Sequence, residues 1–292
     1  MRPGYVSGPH SLKESINSGK LWKSVEREGL FMNLKKLFVL LAACVFATFA
    51  LAGCGGSNSA SSGSGSSAKV LKVGSSIDFA PFEFQDEGQK DYQGFDMDLI
   101  RAIGKEMGYD VEIQNIGFDG LIPALQAKNI DVIISGMTIN DERKENVSFS
   151  DPYYQSGLTM VVRSDEQAIK SFQDLKGHKV AVQIGTTSAE AVKKLGGVEV
   201  KELNTPADCF MELKGHGVDA VVNDRPVNDY YITKSGETGV KALEEKLTAE
   251  DYGIAMAKDN TELQSKINEA LKKLKENGEY DKIYAKWFGG QK

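Results

Sequence analysis

The chain has 292 residues, of which 41% are hydrophobic and 26% charged, so it can bury one or two sizeable cores. Its formal net charge of -6 at pH 7 argues against a nucleic acid as partner, because proteins that bind nucleic acids present a basic surface. The three histidines are scattered along the chain, so we expect no metal site.

The N-terminal region has the pattern of a targeting segment. Residues 1–31 are polar without strong periodicity, and we interpret them as an upstream extension that precedes Met32. A short basic stretch then leads into an apolar run over 37–51, which is typical of a secretory signal. The run ends in Leu-Ala-Gly followed by Cys54, which resembles a lipoprotein processing box; an ordinary signal anchor is the alternative. We therefore predict a lipoprotein signal peptide over 32–53 and a lipid on Cys54.

Residues 54–68 are rich in glycine and serine and nearly uncharged, which is typical of a flexible tether. Beyond them, no further apolar stretch is long enough to span a bilayer. We expect the protein to be anchored to the membrane without crossing it.

Strands and helices alternate from residue 70 onward. The first half predicts strands over 70–73, 111–116 and 132–135, with helices over 96–107 and 121–127. This alternation implies right-handed crossovers, an α/β fold and a mainly parallel sheet.

The same pattern returns in the second half of the chain. The predicted strands are 157–162, 179–184, 198–203, 218–222 and 252–257, and the predicted helices are 188–195, 206–213, one that begins in a capping box at Thr261 and ends near Gly278, and 280–287. Cys209, the one cysteine beyond Cys54, is interpreted as a buried helix residue rather than a nucleophile, and no intramolecular disulfide is expected.

The segment 133–143 changes from a buried strand to polar residues and is the strongest local indication of a binding site. Gly136 allows a ligand to approach the backbone closely, and Thr138 offers a hydroxyl group. Asn140 or Asp141 can cap a short helix, whose first turn holds Arg143. An arginine fork there can bind a carboxylate by two parallel hydrogen bonds. The alternative is a strand, a capped turn and a surface arginine.

Five further motifs occur with this segment in a fixed order: 78–84, 94–99, 118–125, 149–154 and 185–187. Taken together, they resemble the polar-amino-acid solute-binding proteins of ABC importers (extracellular solute-binding proteins of family 3), and most closely the members that bind glutamine. The resemblance covers residues 69–288. It implies a two-lobed, periplasmic-binding-protein-like α/β fold of type II with two hinge connections. Lobe 1 would then be discontinuous, over 69–156 and 257–292, and lobe 2 would span 157–256 with the hinge strands.

The resemblance also implies how a free amino acid would be held. The ligand carboxylate would bind Arg143 and the backbone N–H groups of Thr138 and Thr187, the latter at a helix start, where unpaired N–H groups attract anions. The ammonium group would meet Asp224, the Gly136 carbonyl and the Thr138 hydroxyl. For Asp224, a helix cap is the alternative role.

The ligand's side chain would lie between Phe79 and Phe118, for which a place in the core is the alternative. Around its far end the resemblance places Ser76, Gln183 and Asn223, all uncharged. A neutral, hydrogen-bonding pocket favours glutamine, because an unpaired buried cation costs several kcal/mol. If Asp78 turns into the cleft between the lobes, it supplies a counter-charge and a basic amino acid becomes the ligand. Asp78 is therefore also a candidate pocket residue.

The function expected from the resemblance is transport rather than catalysis, without a cofactor. Two lobes close on a polar amino acid outside the cytoplasm, and the closed form of a monomeric, lipid-anchored protein is recognised by a membrane permease. A binder of a basic amino acid or cystine is the alternative on the same fold. A cyclohexadienyl dehydratase-like enzyme and a sensor subunit are the alternatives from other classes.

Overall fold

The computed structural model describes residues 69–236 and 238–289. The predicted upstream extension, signal peptide and tether, with the lipidation site Cys54, lie outside these residues. Among the helices of the described ranges, none combines the length and the apolar composition needed to cross a bilayer.

The strands of the described residues form three sheets. In chain order they are β1 (Lys69–Ser75), β2 (Tyr109–Asn115), β3 (Val132–Ile133), β4 (Val147–Phe149), β5 (Tyr154–Ser156), β6 (Leu158–Arg163), β7 (Lys179–Gln183), β8 (Glu199–Leu203), β9 (Ala220–Asp224), β10 (Val240–Ala242), β11 (Glu250–Tyr252) and β12 (Ala255–Ala257).

The helices are α1 (Phe95–Met107), α2 (Leu121–Gln126), α3 (Asp141–Lys144), α4 (Thr187–Leu195), α5 (Pro206–Lys214), α6 (Arg225–Ser235), α7 (Thr261–Glu276) and α8 (Glu279–Phe288), with 3-10 turns at Phe118–Gly120 and Phe172–Leu175. Helix α1 shows how the sequence determines where a helix begins and ends. Its apolar residues recur at helical spacing and are buried, while Gly108 ends it in the left-handed conformation at φ 73°.

The first sheet has the strand order β2-β1-β3-β12-β4. Strands β1, β2 and β3 are parallel, as the alternation of strands and helices predicts, whereas β12 runs antiparallel to both β3 and β4. Helices α1 and α7 pack on each other and cover apolar residues of this lobe, among them Val73, Ile100 and Ile267. This sheet and its helices are lobe 1.

The second sheet has the order β10-β6-β9-β7-β8 and forms lobe 2. Strands β7, β8 and β9 of this sheet are parallel, and β6 pairs antiparallel to β9. Cys209 is buried on α5, which confirms its place as a buried helix residue.

Two chain segments join the lobes, and they pair with each other as the two-stranded antiparallel sheet of β5 and β11. Beside this hinge lies an aromatic cluster in which Tyr154 packs on Tyr252 at 5.7 Å and on Phe82 at 4.9 Å between ring centroids. The two-lobed α/β fold with two hinge connections is thereby confirmed.

Several local predictions differ from the structure. The predicted strand 252–257 is divided into β11 and β12 at Gly253, whose added Cβ would lie 2.7 Å from Ile139 Cδ1. Because β12 pairs within the first sheet, the predicted lobe boundary at residue 257 falls inside a strand of lobe 1.

The capping box at Thr261 is wrong by one residue. Asn260 is the N-cap of α7, and its Oδ1 accepts the backbone N–H of Leu263 at 3.2 Å. Gly278 is the N-cap of α8 rather than the end of α7, which Asn277 caps. Helix α6 has no counterpart in the predicted elements.

Candidate functional site

The segment after β3 lies between the lobes and is fixed by hydrogen bonds to lobe 1 and the hinge. Gly136 has φ 51°, and its N–H donates to Asp96 Oδ2 at 2.8 Å. Thr138 forms an isolated antiparallel bridge with Tyr252 of the hinge. Of the two possible caps of α3, Asn140 is the one used, because its Oδ1 accepts the N–H of Arg143 at 2.8 Å.

Arg143 is buried, so the alternative of a surface arginine is wrong. One guanidinium nitrogen donates to the Thr138 carbonyl at 2.9 Å and another to the Gly185 carbonyl at 3.2 Å, across to lobe 2. The guanidinium carbon also lies 5.3 Å from the centre of the Phe118 ring. Burial lowers the pKa of Arg143, but nearby carboxylates oppose this shift. The fork therefore stands at the junction of the two lobes, where it can meet a carboxylate.

Thr187 is the first residue of α4, as predicted, and Thr186 is its N-cap. The Thr186 hydroxyl accepts the N–H of Ala189 at 3.3 Å. The helix start therefore presents the N–H end of its dipole toward the junction of the lobes. The Thr187 hydroxyl donates to Glu250 Oε2 at 2.8 Å.

Asp224 ends β9 and is buried. It is the N-cap residue of α6, but its side chain makes no capping hydrogen bond, so the alternative of a side-chain cap is wrong. Its Oδ1 accepts the Ser156 hydroxyl at 2.7 Å instead. Burial, and then the charge of Glu250, raise the pKa of Asp224 to about 6. A cation that approached would favour the ionised form.

Glu250 is a buried residue of the site that the sequence interpretation missed. It opens β11, and its carboxylate accepts the hydroxyls of Thr138 at 2.5 Å, Thr187 at 2.8 Å and Thr248 at 3.1 Å. The one local signal was an acidic residue at the start of the returning hinge segment, directly before Asp251-Tyr252-Gly253.

The pocket candidates Asp78 and Gln183 meet across the lobes. Gln183 Nε2 donates to Asp78 Oδ2 at 3.2 Å and to the Asn204 carbonyl at 2.9 Å. Burial raises the pKa of Asp78 to about 6, and hydrogen bonds from Ser76 and Gln183 oppose this shift. Asp78 thus faces lobe 2 rather than bulk solvent.

The remaining candidates take different positions. Ser76 and Asn223 are buried, and the Asn223 amide nitrogen has no acceptor among the described residues. Phe79 belongs to the core of lobe 1, where it stacks on Phe82 at 5.9 Å, and its ring edge lies beneath Gly136. Phe118 is half-buried beside Arg143. The structure therefore groups Arg143 with Phe118 and Gly185, Glu250 with Thr138 and Thr187, and Asp78 with Gln183.

A separate groove of about 640 Å³ lies at the hinge, lined among others by Tyr154, Ser156, Arg225, Tyr230, Trp287 and Phe288. None of the residues predicted to hold a ligand lines it. Volume alone does not make a site. The cleft between the lobes, at which Arg143, Asp224 and Glu250 lie, has the convergent charged groups that an amino acid needs. The cleft is the better candidate.

A family model described as "Bacterial extracellular solute-binding proteins, family 3" matches residues 71–290. The chain is 40% identical to the arginine-binding extracellular protein ArtP of Bacillus subtilis (strain 168), covering 88% of the chain and 99% of the relative. It is 36% identical to a probable histidine-binding protein of Neisseria gonorrhoeae, covering 89% of the chain and 99% of the relative.

The chain is also similar to solved structures of amino-acid-binding proteins. An ancestral arginine-binding protein bound to arginine is 49% identical with a TM-score of 0.73, covering 75% of this chain and 98% of that one. An ancestral arginine-binding protein bound to glutamine is also 49% identical with a TM-score of 0.73, covering 76% and 98%. The ancestral amino-acid-binding precursor of cyclohexadienyl dehydratase is 43% identical with a TM-score of 0.70, covering 75% and 95%.

Proposed function

Because the chain belongs to the bacterial extracellular solute-binding proteins of family 3, we propose that it binds a free amino acid outside the cytoplasm and delivers it to the permease of an ABC importer. The observation that carries the proposal is that a buried arginine fork, Arg143, and a buried carboxylate, Asp224, lie between the two lobes, near enough for the charge of each to shift the pKa of the other. A free amino acid presents a carboxylate and an ammonium group to such a pair. The relatives reported above are named as binding proteins, and we propose no catalytic step.

For the ligand's side chain we propose a cationic amino acid, with arginine as the representative. The sequence favoured glutamine because Ser76, Gln183 and Asn223 are neutral. Asp78, however, faces lobe 2 at 3.2 Å from the Gln183 amide, which supports the alternative in which it supplies the counter-charge. The arginine-binding relative ArtP and the arginine-bound ancestral structure favour the same ligand class.

Charge balance supports the same choice. The cleft combines the cation of Arg143 with the carboxyl groups of Asp78, Asp224 and Glu250. A zwitterion adds no net charge, whereas arginine adds one positive charge to a site rich in carboxylates. Such a ligand therefore reduces the mutual repulsion of these buried groups.

Glutamine is the second candidate. The Asn223 amide nitrogen lacks an acceptor among the described residues, and a glutamine side chain offers a carbonyl oxygen to it. An ancestral arginine-binding protein that is 49% identical has been solved with glutamine bound.

Titration calorimetry with arginine, lysine, histidine, glutamine and cystine tests the ligand class. The pH dependence of binding separates arginine from glutamine. Arginine binding favours ionised Asp78, whose pKa is raised to about 6, so its affinity should fall as the pH drops through that value. Asp224 titrates near the same pH but meets the ammonium group of every amino acid, so the ratio of arginine to glutamine affinity isolates Asp78.

The matched variant is Asp78→Asn, which keeps size and hydrogen bonding. It should weaken arginine binding by roughly ten- to a hundredfold, the effect of losing a charged hydrogen bond, and abolish the pH dependence of the ratio. Glutamine affinity should change little. Wild-type protein that prefers glutamine at every pH would return the assignment to glutamine.

We further propose that the protein is held at the membrane by a lipid on Cys54 and a tether over 54–68, as a monomer. The support is the processing box that precedes Cys54 and the glycine- and serine-rich composition after it.

A further inference from the structure

Glu250 is a carboxylate mounted on a hinge strand, and it contacts both lobes through threonine hydroxyls. Its Oε2 accepts the hydroxyl of Thr138 from lobe 1 at 2.5 Å and that of Thr187 from lobe 2 at 2.8 Å. Its Oε1 accepts the hydroxyl of Thr248 at 3.1 Å. The residue is buried, so the carboxylate satisfies its lone pairs with these hydroxyls rather than with bulk water.

This arrangement decides which way the hydroxyl protons point. A threonine hydroxyl has one proton and two lone pairs. An ionised carboxylate is an acceptor only, so Thr138 and Thr187 must both direct their protons toward Glu250. Toward the cleft, each hydroxyl oxygen is therefore left as an acceptor.

An acceptor is what an ammonium group needs and what a carboxylate group avoids. The Thr138 oxygen is thus prepared to receive an N–H from a ligand's ammonium group. A carboxylate would instead meet the Arg143 fork, whose nitrogens already reach the carbonyls of Thr138 and Gly185 at the same junction. The hydroxyl orientation therefore distinguishes the two ends of a zwitterion.

Charge acts in the same direction. Glu250 lies near Asp224. Burial is the larger cause that raises the pKa of the Asp224 carboxyl group, and the charge of Glu250 is the second. A positive group between the two carboxylates relieves this repulsion. Glu190 and then Glu250 oppose the effect of burial, which lowers the pKa of the Arg143 guanidinium.

We propose that Glu250 is a positioning residue for the ligand's α-ammonium group, which it serves by fixing the Thr138 hydroxyl as an acceptor in the closed cleft. This inference rests on the proposed function, because it assumes that the cleft holds an amino acid. It adds a residue on the hinge to the site, so ligand recognition and the closed position of the lobes depend on the same carboxylate.

The experiment compares L-arginine with 5-guanidinopentanoate, the same molecule without its α-ammonium group, by titration calorimetry on the mature chain. Glu250→Gln should weaken L-arginine binding by about tenfold or more, as expected for loss of a charged hydrogen-bond partner, and leave the analogue within about twofold. The ratio of the two dissociation constants is taken within one variant, so a lower folded fraction cancels. If wild-type protein prefers glutamine, glutamine and glutaramate take the places of these ligands.

A double-mutant cycle tests the route through Thr138. Thr138→Val removes the acceptor, so adding Glu250→Gln to it should cost much less than Glu250→Gln alone. Thr138→Ser keeps the hydroxyl and should preserve the effect. Thr248→Val removes the contact on the other carboxylate oxygen and the hydrogen bond that the Leu158 N–H donates to the Thr248 hydroxyl at 3.4 Å. Neither bond involves Thr138, so the ligand ratio should not change.

Three results separate the claims. Equal weakening of both ligands by Glu250→Gln, or additive losses in the cycle, would overturn the inference and leave a purely structural hinge contact. A wild-type protein that binds no amino acid would overturn the proposed function instead. Normal wild-type binding with an unaffected Glu250→Gln variant would reject only the role of Glu250.

Discussion

At the scale of single residues, the carboxyl groups of Glu83 and Asp96 form a buried pair beneath the binding segment. Glu83 Oε1 accepts the Ser135 hydroxyl at 2.9 Å, and Asp96 Oδ2 accepts the Gly136 N–H at 2.8 Å. Tyr153 donates a further hydrogen bond to Asp96 at 2.7 Å. Glu83 Oε2 and Asp96 Oδ1 have no hydrogen-bond partner among the described residues, and one proton held between the two carboxyl groups would satisfy both atoms.

Burial raises the pKa of both groups, that of Glu83 well above its usual value and that of Asp96 to about 6. We therefore expect the proton on Glu83, from which it can be donated to the Asp96 carboxylate. Asp96 in turn keeps its acceptor capacity for Gly136, so a proton on Glu83 helps to hold the segment that carries Thr138 and Arg143.

This pair predicts how stability changes with pH. The folded protein holds the Glu83 proton more tightly than the unfolded chain does. Stability should therefore be full below the pKa of Glu83 in the unfolded chain, and it should decline as the pH rises from that pKa to the higher pKa of the folded protein. Asp96, and likewise Asp78 and Asp224, contribute a similar decline that ends near their folded pKa of about 6. Above that pH, and below the range in which the buried Cys209 thiol adds a decline of its own because its pKa is raised to about 12, the remaining slope belongs to Glu83.

In Glu83→Gln the slope above about pH 6 should disappear, because an amide can donate to Asp96 without titrating. Urea unfolding of both proteins between about pH 6 and 8, below the titration of an unfolded Cys209 thiol, measures this difference. Asp96→Asn is the control, and it should lower stability at every pH because it removes the charged acceptor of Gly136 and Tyr153. Parallel curves for wild type and Glu83→Gln would contradict the shared proton.

Single residues also mark the limit of what the sequence could predict. Arg143 follows a strand at a spacing that places it in a capped turn, and the structure puts it, buried, at the junction of the lobes. Glu250 lies 112 positions from its partner Thr138, and no local pattern joins them. The direction of the Asp78 side chain depends likewise on Gln183, 105 positions away.

At the scale of elements, the turn from β3 to α3 depends on one glycine. Gly136 has φ 51°, and a Cβ added there would lie 2.8 Å from Phe79 Cε1 and 3.4 Å from Tyr252 Cε2. Both rings belong to the apolar core of lobe 1, so they have little room to move. The backbone must therefore shift if this position acquires a side chain.

Gly136→Ala should cost roughly 1–3 kcal/mol of stability, combining left-handed backbone strain with overpacking, and should weaken ligand binding because Thr138 moves with the turn. Gly108→Ala is a matched control: its φ is 73°, but nothing lies within 4 Å of its added Cβ. The control should lose stability through strain alone and bind ligand normally. Urea unfolding and calorimetry measure both effects; equal losses in the two variants would argue against the contact with Phe79.

Elements were predicted well where apolar periodicity is long and poorly where two good local signals compete. Helix α1 and strands β1 and β7 lie within a few residues of their predicted ranges because buried positions recur along them. For α7, Asn260 and Thr261 are both strong N-cap residues, and only the hydrogen bond to Leu263 decides between them. The division of the returning hinge segment was not visible in its apolar sequence, since it follows from pairing with two different sheets.

At the scale of the whole molecule, the proposed anchor makes a prediction about location. Cys54→Ala should prevent lipid attachment, so the protein should accumulate as a precursor that carries the signal or as a released form. Incorporation of a labelled fatty acid and separation of membrane from soluble fractions in the native cell measure this. Cys44→Ala is the control, because it removes a cysteine from the apolar run but leaves the processing box intact. Labelled, membrane-bound Cys54→Ala protein would show that the lipid is elsewhere.

The interruption of lobe 1 by lobe 2 has a consequence for the order in which the chain can fold as it emerges from its N-terminal end. All five strands of the lobe 2 sheet lie between Leu158 and Ala242, so that sheet can close as soon as this stretch is available. In lobe 1, strand β12 stands between β3 and β4, and it arrives only with residues 255–257. The lobe that begins first is therefore completed last, and until then β3 and β4 expose unpaired edges that invite association with other chains.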